Sequence, residues 1–285
     1  MRKVFWALLV AGETAIWTLA AAVLLSPLVR DPIGGVYTKA RRSVRTFVLA
    51  AAIPLVGFAV LAPLRLTVHN PLPGQQTKFI ILNLLGAAVA LLGVAEMALV
   101  KAALQAEPAR GGAADFVRFL ELRGVLQRIL AVEGTILGAA ILVTGALRNA
   151  VNAYPGQLRA HPGFLHHHPS QKDFLHASYP HEYLLLYGAY LTLLLALFYA
   201  PVYLRLLEAG RANLDAACPL GDPSSAGWTD SYEKRKKLQE YLQLEVTASA
   251  SFRAGVAIFA RSQARLSPCS SAPAKSTQRR TGGGR

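Results

Sequence analysis

The chain has 285 residues, of which 53% are hydrophobic and 16% are charged. A soluble domain usually carries about 25% charged residues, so this chain has too few to cover a surface that faces water. Its hydrophobicity excludes disorder over most of the chain, and two cysteines are too few for a small disulfide scaffold. The composition therefore predicts an integral membrane protein.

Five apolar runs are long enough to cross a bilayer. A hydrocarbon core about 30 Å thick takes about 20 mostly apolar residues in a helix, and backbone groups in lipid must be paired within that helix. The runs cover residues 4–29, 46–66, 79–100, 126–147 and 183–207. The expected fold is all-α, a polytopic transmembrane helical bundle of five spans over residues 1–210. The first run exceeds the core of a signal peptide, roughly 7–15 residues, so we expect an uncleaved helix.

Residues 211–260 are expected to hold a basic amphipathic helix followed by the start of a sixth span. Asp230, followed by Ser-Tyr-Glu, predicts an N-cap for the helix. A basic cluster lies near its start: Lys234, Arg235, Lys236 and Lys237. Such a helix is suited to the anionic lipids of the cytoplasmic leaflet. The alternative is a solvated helix that binds a soluble partner.

The sixth span is expected to be truncated. Residues 252–260 are apolar but too few to cross a bilayer, and residues 261–285 have the polar composition of a disordered tail. The break near Arg261 is either a natural short tail or the result of a frameshift or truncation that replaced the rest of the helix. We favour the second, because residues 251–260 resemble the first half of a membrane helix.

The net charge of +14 lies mainly between the spans. In a soluble protein this excess would indicate a nucleic-acid partner, which we do not expect here. The segments richer in Lys and Arg are 30–45, 101–128 and 205–237, and the poorer ones are 2–3, 65–78 and 148–172. The positive-inside rule predicts a multi-pass cell-membrane protein with an external N-terminus, an external loop at 149–182 and a cytoplasmic C-terminal region. Arg2 and Lys3 favour the opposite orientation.

Three carboxylates lie within the predicted spans: Glu13, Glu96 and Glu133. A charge in the middle of a membrane costs about 2.5–3.5 kcal/mol on insertion scales, so each is a candidate proton or cation site. Glu96 and Glu133 are expected at similar depth in antiparallel helices, where two close carboxylates tend to share a proton. The alternative is a structural role, in which both lie near enough to the interface to reach water or pair locally, Glu96 with Lys101 and Glu133 with Arg128, each five residues away. Glu13 lies deeper, without an obvious partner.

The fourth span contains Gly134 and Gly138, four residues apart. Small residues at this spacing let membrane helices approach closely. We expect them to pack against another helix of the same chain. The alternative is a seam with a second copy in a homo-oligomer, or with another membrane protein.

The predicted external loop contains six of the seven histidines. Its candidate metal ligands are His166, His167, His168, His176 and His181. Neutral imidazole binds Zn, Cu or Ni, and short His-rich tracts are consistent with a divalent metal cofactor. The spacing matches no standard metal motif, so an ordinary interfacial loop and a pH-sensitive lid are the alternatives.

The sequence carries no phosphate-binding loop, dinucleotide-binding glycine motif, nucleophile elbow or C-x-x-C pair. The first functional hypothesis is a non-enzymatic membrane component of an assembly or a transport process, in contact with membrane lipids. The second is a metal- or proton-handling membrane protein that uses the His-rich loop and the intramembrane carboxylates. The third is a membrane-embedded enzyme, ranked last because no nucleophile with its partner groups is recognisable.

Overall fold

Seven α-helices make up most of what the structure, a computed structural model, describes of this chain. The described residues are 2–33, 37–67, 75–106, 110–160, 181–220, 222, 224, 227–242 and 244. They lie within one compact unit, Met1–Glu245. The helices are α1 (Arg2–Leu24), α2 (Pro27–Arg30), α3 (Tyr37–Thr67), α4 (Gln75–Ala106), α5 (Ala113–Ala160), α6 (His181–Ala217) and α7 (Trp228–Tyr241).

The all-α fold is confirmed, and no strand occurs among the described residues. Four helices (α3, α4, α5 and α6) contain segments long and apolar enough to cross a membrane. The α1–α2 pair makes a fifth span when its two pieces are counted together. The predicted start of a sixth span at 252–260 and the predicted tail at 261–285 lie outside the described residues.

The first predicted span is broken near its C-terminal end. α1 ends at Leu24, and the chain bends by 48° before it continues as α2 from Pro27. Proline lacks a backbone N–H and its ring collides with the preceding turn of a helix, so Pro27 favours a break here and is suited to the first turn of α2. The Ser26 hydroxyl donates to the Val23 carbonyl oxygen at 2.6 Å, which satisfies one acceptor at the break.

α3 continues through Pro54 and contacts α6 near that residue. The Tyr190 hydroxyl donates to the Pro54 carbonyl oxygen at 3.2 Å. The Tyr190 ring also stacks on Phe58, with 4.4 Å between the ring centroids. Stacked aromatic rings contribute about 0.5–1.5 kcal/mol beyond their buried area, so these contacts stabilise the pairing of α3 with α6.

α5 is far longer than a bilayer requires. Its 48 residues rise about 72 Å at 1.5 Å per residue, more than twice the thickness of a hydrocarbon core. It extends the fourth predicted span at both ends. Residues 149–160 are therefore helical, and the prediction that the loop begins at 149 is wrong. Hydropathy shows where a helix leaves the apolar region, whereas the hydrogen-bonded backbone continues further.

The turn between α4 and α5 depends on Gly111, whose φ is +69°. A Cβ at this position would lie 2.5 Å from the Ala217 backbone nitrogen and 2.7 Å from the Ala216 carbonyl carbon. Glycine tolerates both the left-handed backbone and the close approach. The turn is therefore pressed directly against the end of α6.

α4 and α5 form the centre of the bundle. α4 packs against α1, α3, α5 and α6, while α5 packs against α1, α4 and α6. Their inner faces carry fully buried side chains such as Met97, Leu126 and Ile129. Any polar side chain on these inner faces is enclosed by neighbouring helices.

α7 is tied to the end of α6. Arg235 forms an ion pair with Asp215 and also donates to the Cys218 carbonyl oxygen at 3.0 Å. After α7, Leu242 and Leu244 are buried in the same core as α4 and α5. The C-terminal part of the described chain is therefore anchored both by polar contacts of Arg235 and by the burial of two leucines.

The start of α7 differs from the sequence prediction. The helix begins at Trp228, after Gly227 with φ of 92°, and no side chain forms a capping hydrogen bond there. Asp230 lies inside the first turn, so the prediction of an N-cap at Asp230 is wrong. A carboxylate in the first turn still interacts favourably with the helix dipole.

Candidate functional site

The three carboxylates singled out in the spans are all buried inside the bundle. The exposed fractions are 5% for Glu13, 2% for Glu96 and 6% for Glu133. Buried carboxylates are normally hydrogen-bonded or paired with a cation, because removing a charge from water is costly. The partners of these three side chains therefore decide what each can do.

Glu133 of α5 lies directly against Gly93 of α4. A Cβ at Gly93 would overlap the Glu133 carboxylate oxygen Oε1, and would lie 2.8 Å from Cδ and 3.2 Å from Cγ. Only glycine leaves room for the carboxylate at this point on α4. Oε1 has no hydrogen-bond partner in the part of the chain that the structure describes.

Glu96 lies one helical turn beyond Gly93 and has a cationic neighbour. Residues three apart share a helix face, so the Glu133 carboxylate lies about one turn from Glu96 along α4. Arg30 Nε is 3.4 Å from Glu96 Oε1, and half of the Arg30 side chain is exposed (51%). The other oxygen, Oε2, has no hydrogen-bond partner among the described residues.

The two local ion pairs that the sequence offered as an alternative do not form. Glu96 pairs with Arg30 instead of Lys101, whose Nζ lies 5.7 Å from the centre of the Phe47 ring. Arg128 donates to the Leu28 carbonyl oxygen at 3.0 Å. Residues five apart on a helix point in different directions, so both basic side chains reach other elements.

A cavity of about 90 Å³ lies in the middle of the bundle, and Glu133 is part of its wall. All five long helices contribute residues, from Trp17 on α1 to Phe198 on α6. Along α4 the wall runs from Asn83 to Val94, a rise of about 16 Å, so the cavity is elongated along the bundle. A mostly apolar cavity with a few converging polar groups is the usual form of a small-molecule site.

Three further side chains with polar groups line the cavity. Trp17 packs its ring on Gly86, and its Nε1 is buried without a hydrogen-bond partner among the described residues. Further along, the Tyr187 hydroxyl donates to Asn83 Oδ1 at 3.2 Å. The cavity therefore has one carboxylate near Gly93 and an amide–phenol pair at the Asn83 end of its wall.

Sequence reasoning missed four residues that shape this site: Trp17, Arg30, Gly93 and Tyr187. Trp17 carried a signal, because a tryptophan deep in a span departs from the usual place at the membrane interface. It also lies four residues after Glu13, on the same helix face. Gly93 gave no signal, because a glycine in an Ala- and Leu-rich helix is ordinary until the facing side chain is known.

Gly134 and Gly138 of α5 both have open space beside them within the described chain. A Cβ at either position would meet no atom within 4 Å. The expected packing against a helix of the same chain is therefore not seen there. The alternative of an intermolecular seam stays a prediction.

The basic cluster on α7 divides into two parts. Lys234, Lys236 and Lys237 are exposed, and Arg235 points back to Asp215 at the end of α6. Three ammonium groups are therefore accessible to an anionic surface, while the fourth basic residue holds the helix in place.

The candidate metal site in the His-rich loop lies outside the described residues. This applies to His166, His167, His168 and His176, and to the side chain of His181, the first residue of α6. Within the described ranges, no group of three His, Cys, Asp or Glu side chains is arranged to hold a metal ion. Metal binding by the loop stays a prediction.

The geometry defines what this site can do chemically. Glu133 has a carboxylate oxygen without a partner in the described part of the chain, Glu96 has a half-exposed arginine beside it, and a cavity adjoins Glu133. Such a site can accept a proton or a small cation in the interior of the bundle. Comparison of the chain with known protein families, curated proteins and solved structures finds no match. Function is therefore inferred from the buried carboxylates and the cavity.

Proposed function

We propose that this protein is a transport-related membrane component that takes up protons or small cations in the interior of its helix bundle. The observation that carries the proposal is the buried Glu133, whose Oε1 has no hydrogen-bond partner among the described residues and which is part of the wall of a cavity lined by five helices. An ionisable group at membrane depth is expensive, so such a group is a functional candidate by default.

Arg30 and Glu96 support a route from the surface to the cavity. Arg30 is half exposed and reaches Glu96, which is itself one turn of α4 from the Glu133 carboxylate. Charged or protonatable groups therefore follow one another from the edge of the bundle to its centre. Chains of acidic groups of this kind are typical of proton relays in pumps and transporters.

The experiment is a flux measurement in sealed proteoliposomes that contain a pH-sensitive dye. Glu133→Gln keeps the shape of the side chain and removes its charge. Glu121→Gln is the matched control, because Glu121 lies on the same helix, is exposed and pairs with Arg118 at 3.5 Å. We expect flux in the wild type and in Glu121→Gln, and its loss in Glu133→Gln. Wild-type vesicles no more permeable than empty ones, or equal flux in both variants, would reject the proposal.

The proposal includes a cell-membrane location with the N-terminus outside and the C-terminal region in the cytoplasm. It is supported by the distribution of Lys and Arg between the spans. The exposed Lys234, Lys236 and Lys237 are then positioned for anionic lipids of the inner leaflet. Reporter fusions at Lys172 and Asp222 test the orientation, and an external Asp222 would contradict it.

The second candidate function is assembly through the face of α5 that carries Gly134 and Gly138. Open space beside both glycines supports it, because a second helix can approach closely there. Replacing both glycines by leucine should convert a dimer in nanodiscs to a monomer, as counted by single-molecule photobleaching. Gly124→Leu, on the same helix and also without a neighbour, is the control. A monomeric wild type would exclude this function.

A further inference from the structure

The central cavity leaves two of its own polar groups without partners. Glu133 Oε1 is an unpaired acceptor and Trp17 Nε1 is an unpaired donor among the described residues, and both side chains are more than nine-tenths buried. A buried polar atom without a hydrogen bond costs about 1–3 kcal/mol. A guest molecule that supplies a donor to Glu133 would remove part of that penalty.

The wall of the cavity favours a guest with a positive charge. Among the described residues that line the cavity, Glu133 is acidic and none is a lysine or an arginine. Four of the lining side chains are aromatic: Trp17, Phe58, Tyr187 and Phe198. The faces of aromatic rings attract cations by about 0.5–2 kcal/mol, more strongly when water is excluded. Charge and ring faces therefore act in the same direction.

An inorganic ion matches this wall poorly. Calcium takes about 6–8 oxygen ligands and magnesium about six in a strict octahedron. Besides backbone groups, the described wall offers oxygens from Glu133, Asn83 and Tyr187, and the last two bond to each other. The remaining wall is aliphatic or aromatic. An organic ammonium needs few acceptors, and its carbon chain suits the apolar surface.

The size of the cavity limits the guest to a few carbon atoms. Its volume of about 90 Å³ is smaller than an engineered cavity of about 150 Å³ that holds benzene. The elongated shape along α4 suits a short unbranched chain better than a ring.

We propose that the cavity binds a small alkylammonium ion, with the ammonium group donating to Glu133 and the alkyl chain lying between the aromatic side chains. The inference rests on the proposed function and names the class of cation taken up.

The test is calorimetric titration of the full chain in lipid nanodiscs with n-propylammonium. The control ligand is n-propanol, which has the same number of non-hydrogen atoms and no charge. The variants are Glu133→Gln and, as the matched control, Glu121→Gln. A charge-assisted hydrogen bond contributes about 1.5–3 kcal/mol, which corresponds to a change of about tenfold or more in affinity.

We expect n-propylammonium to bind the wild type and Glu121→Gln equally, and to bind Glu133→Gln at least about tenfold more weakly. In the wild type, n-propanol should also bind at least about tenfold more weakly than the ammonium. Equal affinity of the two ligands, unchanged affinity in Glu133→Gln, or no binding of n-propylammonium at millimolar concentration would overturn the proposal. If Glu133→Gln does not fold, the comparison of the two ligands on the wild type decides alone.

The titration measures binding without an ion gradient, whereas the proteoliposome assay measures flux. A negative result in one assay can therefore be told apart from a negative result in the other. Glu133-dependent proton flux without ammonium binding would reject the alkylammonium site and leave proton uptake in place. Ammonium binding without flux would retain the site and reject transport.

Discussion

Replacing Gly93 by alanine tests the position of the Glu133 carboxylate, on which the proposed site depends. The new Cβ would overlap Oε1 and lie 2.8 Å from Cδ, where ordinary contact begins near 3.4 Å. The carboxyl carbon must retreat by about 0.6 Å and the oxygen further. The matched control is Gly134→Ala, next to Glu133 in the chain, where the added methyl group meets nothing within 4 Å.

The expected magnitude follows from two opposing effects. Alanine in place of glycine in a helix stabilises by about 1 kcal/mol, and Gly134→Ala should show only this gain. At Gly93 the overlap adds a penalty of about 1–3 kcal/mol, because the carboxylate must leave its preferred position in a packed interior. Gly93→Ala should therefore be less stable than Gly134→Ala by about 1–3 kcal/mol, or roughly 2–12 °C in melting temperature.

The assay is thermal unfolding of the four proteins of a double-mutant cycle in nanodiscs. Removing the carboxylate with Glu133→Ala should abolish the penalty at Gly93, so the two substitutions should be coupled by about 1–3 kcal/mol. Equal melting temperatures for Gly93→Ala and Gly134→Ala would refute the placement of Glu133 against α4. A penalty that persists in the Glu133→Ala background would refute it as well.

Three further predictions concern the framework of the site. Gly111→Ala should destabilise the protein by roughly 2–4 kcal/mol, because residue 111 has a left-handed backbone and the added methyl group would clash with α6. Gly112→Ala should not destabilise it, and similar melting temperatures for these two variants would contradict the prediction. Arg30→Gln should lower the melting temperature, because the buried Glu96 carboxyl group then loses its cationic partner, and Arg30→Lys should restore part of the loss. Arg235→Ala should release α7 from α6 and speed limited proteolysis of the segment between them; an unchanged digestion rate would show that the ion pair does not hold the helix.

The candidate carboxylates were predictable because their position in the chain is sufficient to find them. Glu13, Glu96 and Glu133 interrupt apolar runs. A carboxylate in such a run is costly in contact with lipid, so it faces the interior of the bundle, where all three are buried. Their partners were not predictable. Arg30 is the last residue of α2, which follows a bend of 48° in the chain, and nothing in the sequence indicated that this bend would place its side chain beside Glu96 of α4.

The sequence by itself determined the all-α membrane bundle, since apolar runs of this length in lipid can satisfy their backbone groups only as helices. It also determined which residues carry charge inside that bundle. Only the tertiary structure decided that Glu133 lies over Gly93 and that residues of five helices line a cavity beside it. Hydropathy is a property of single helices, whereas the depth and rotation at which two helices meet depend on side chains far apart in the chain.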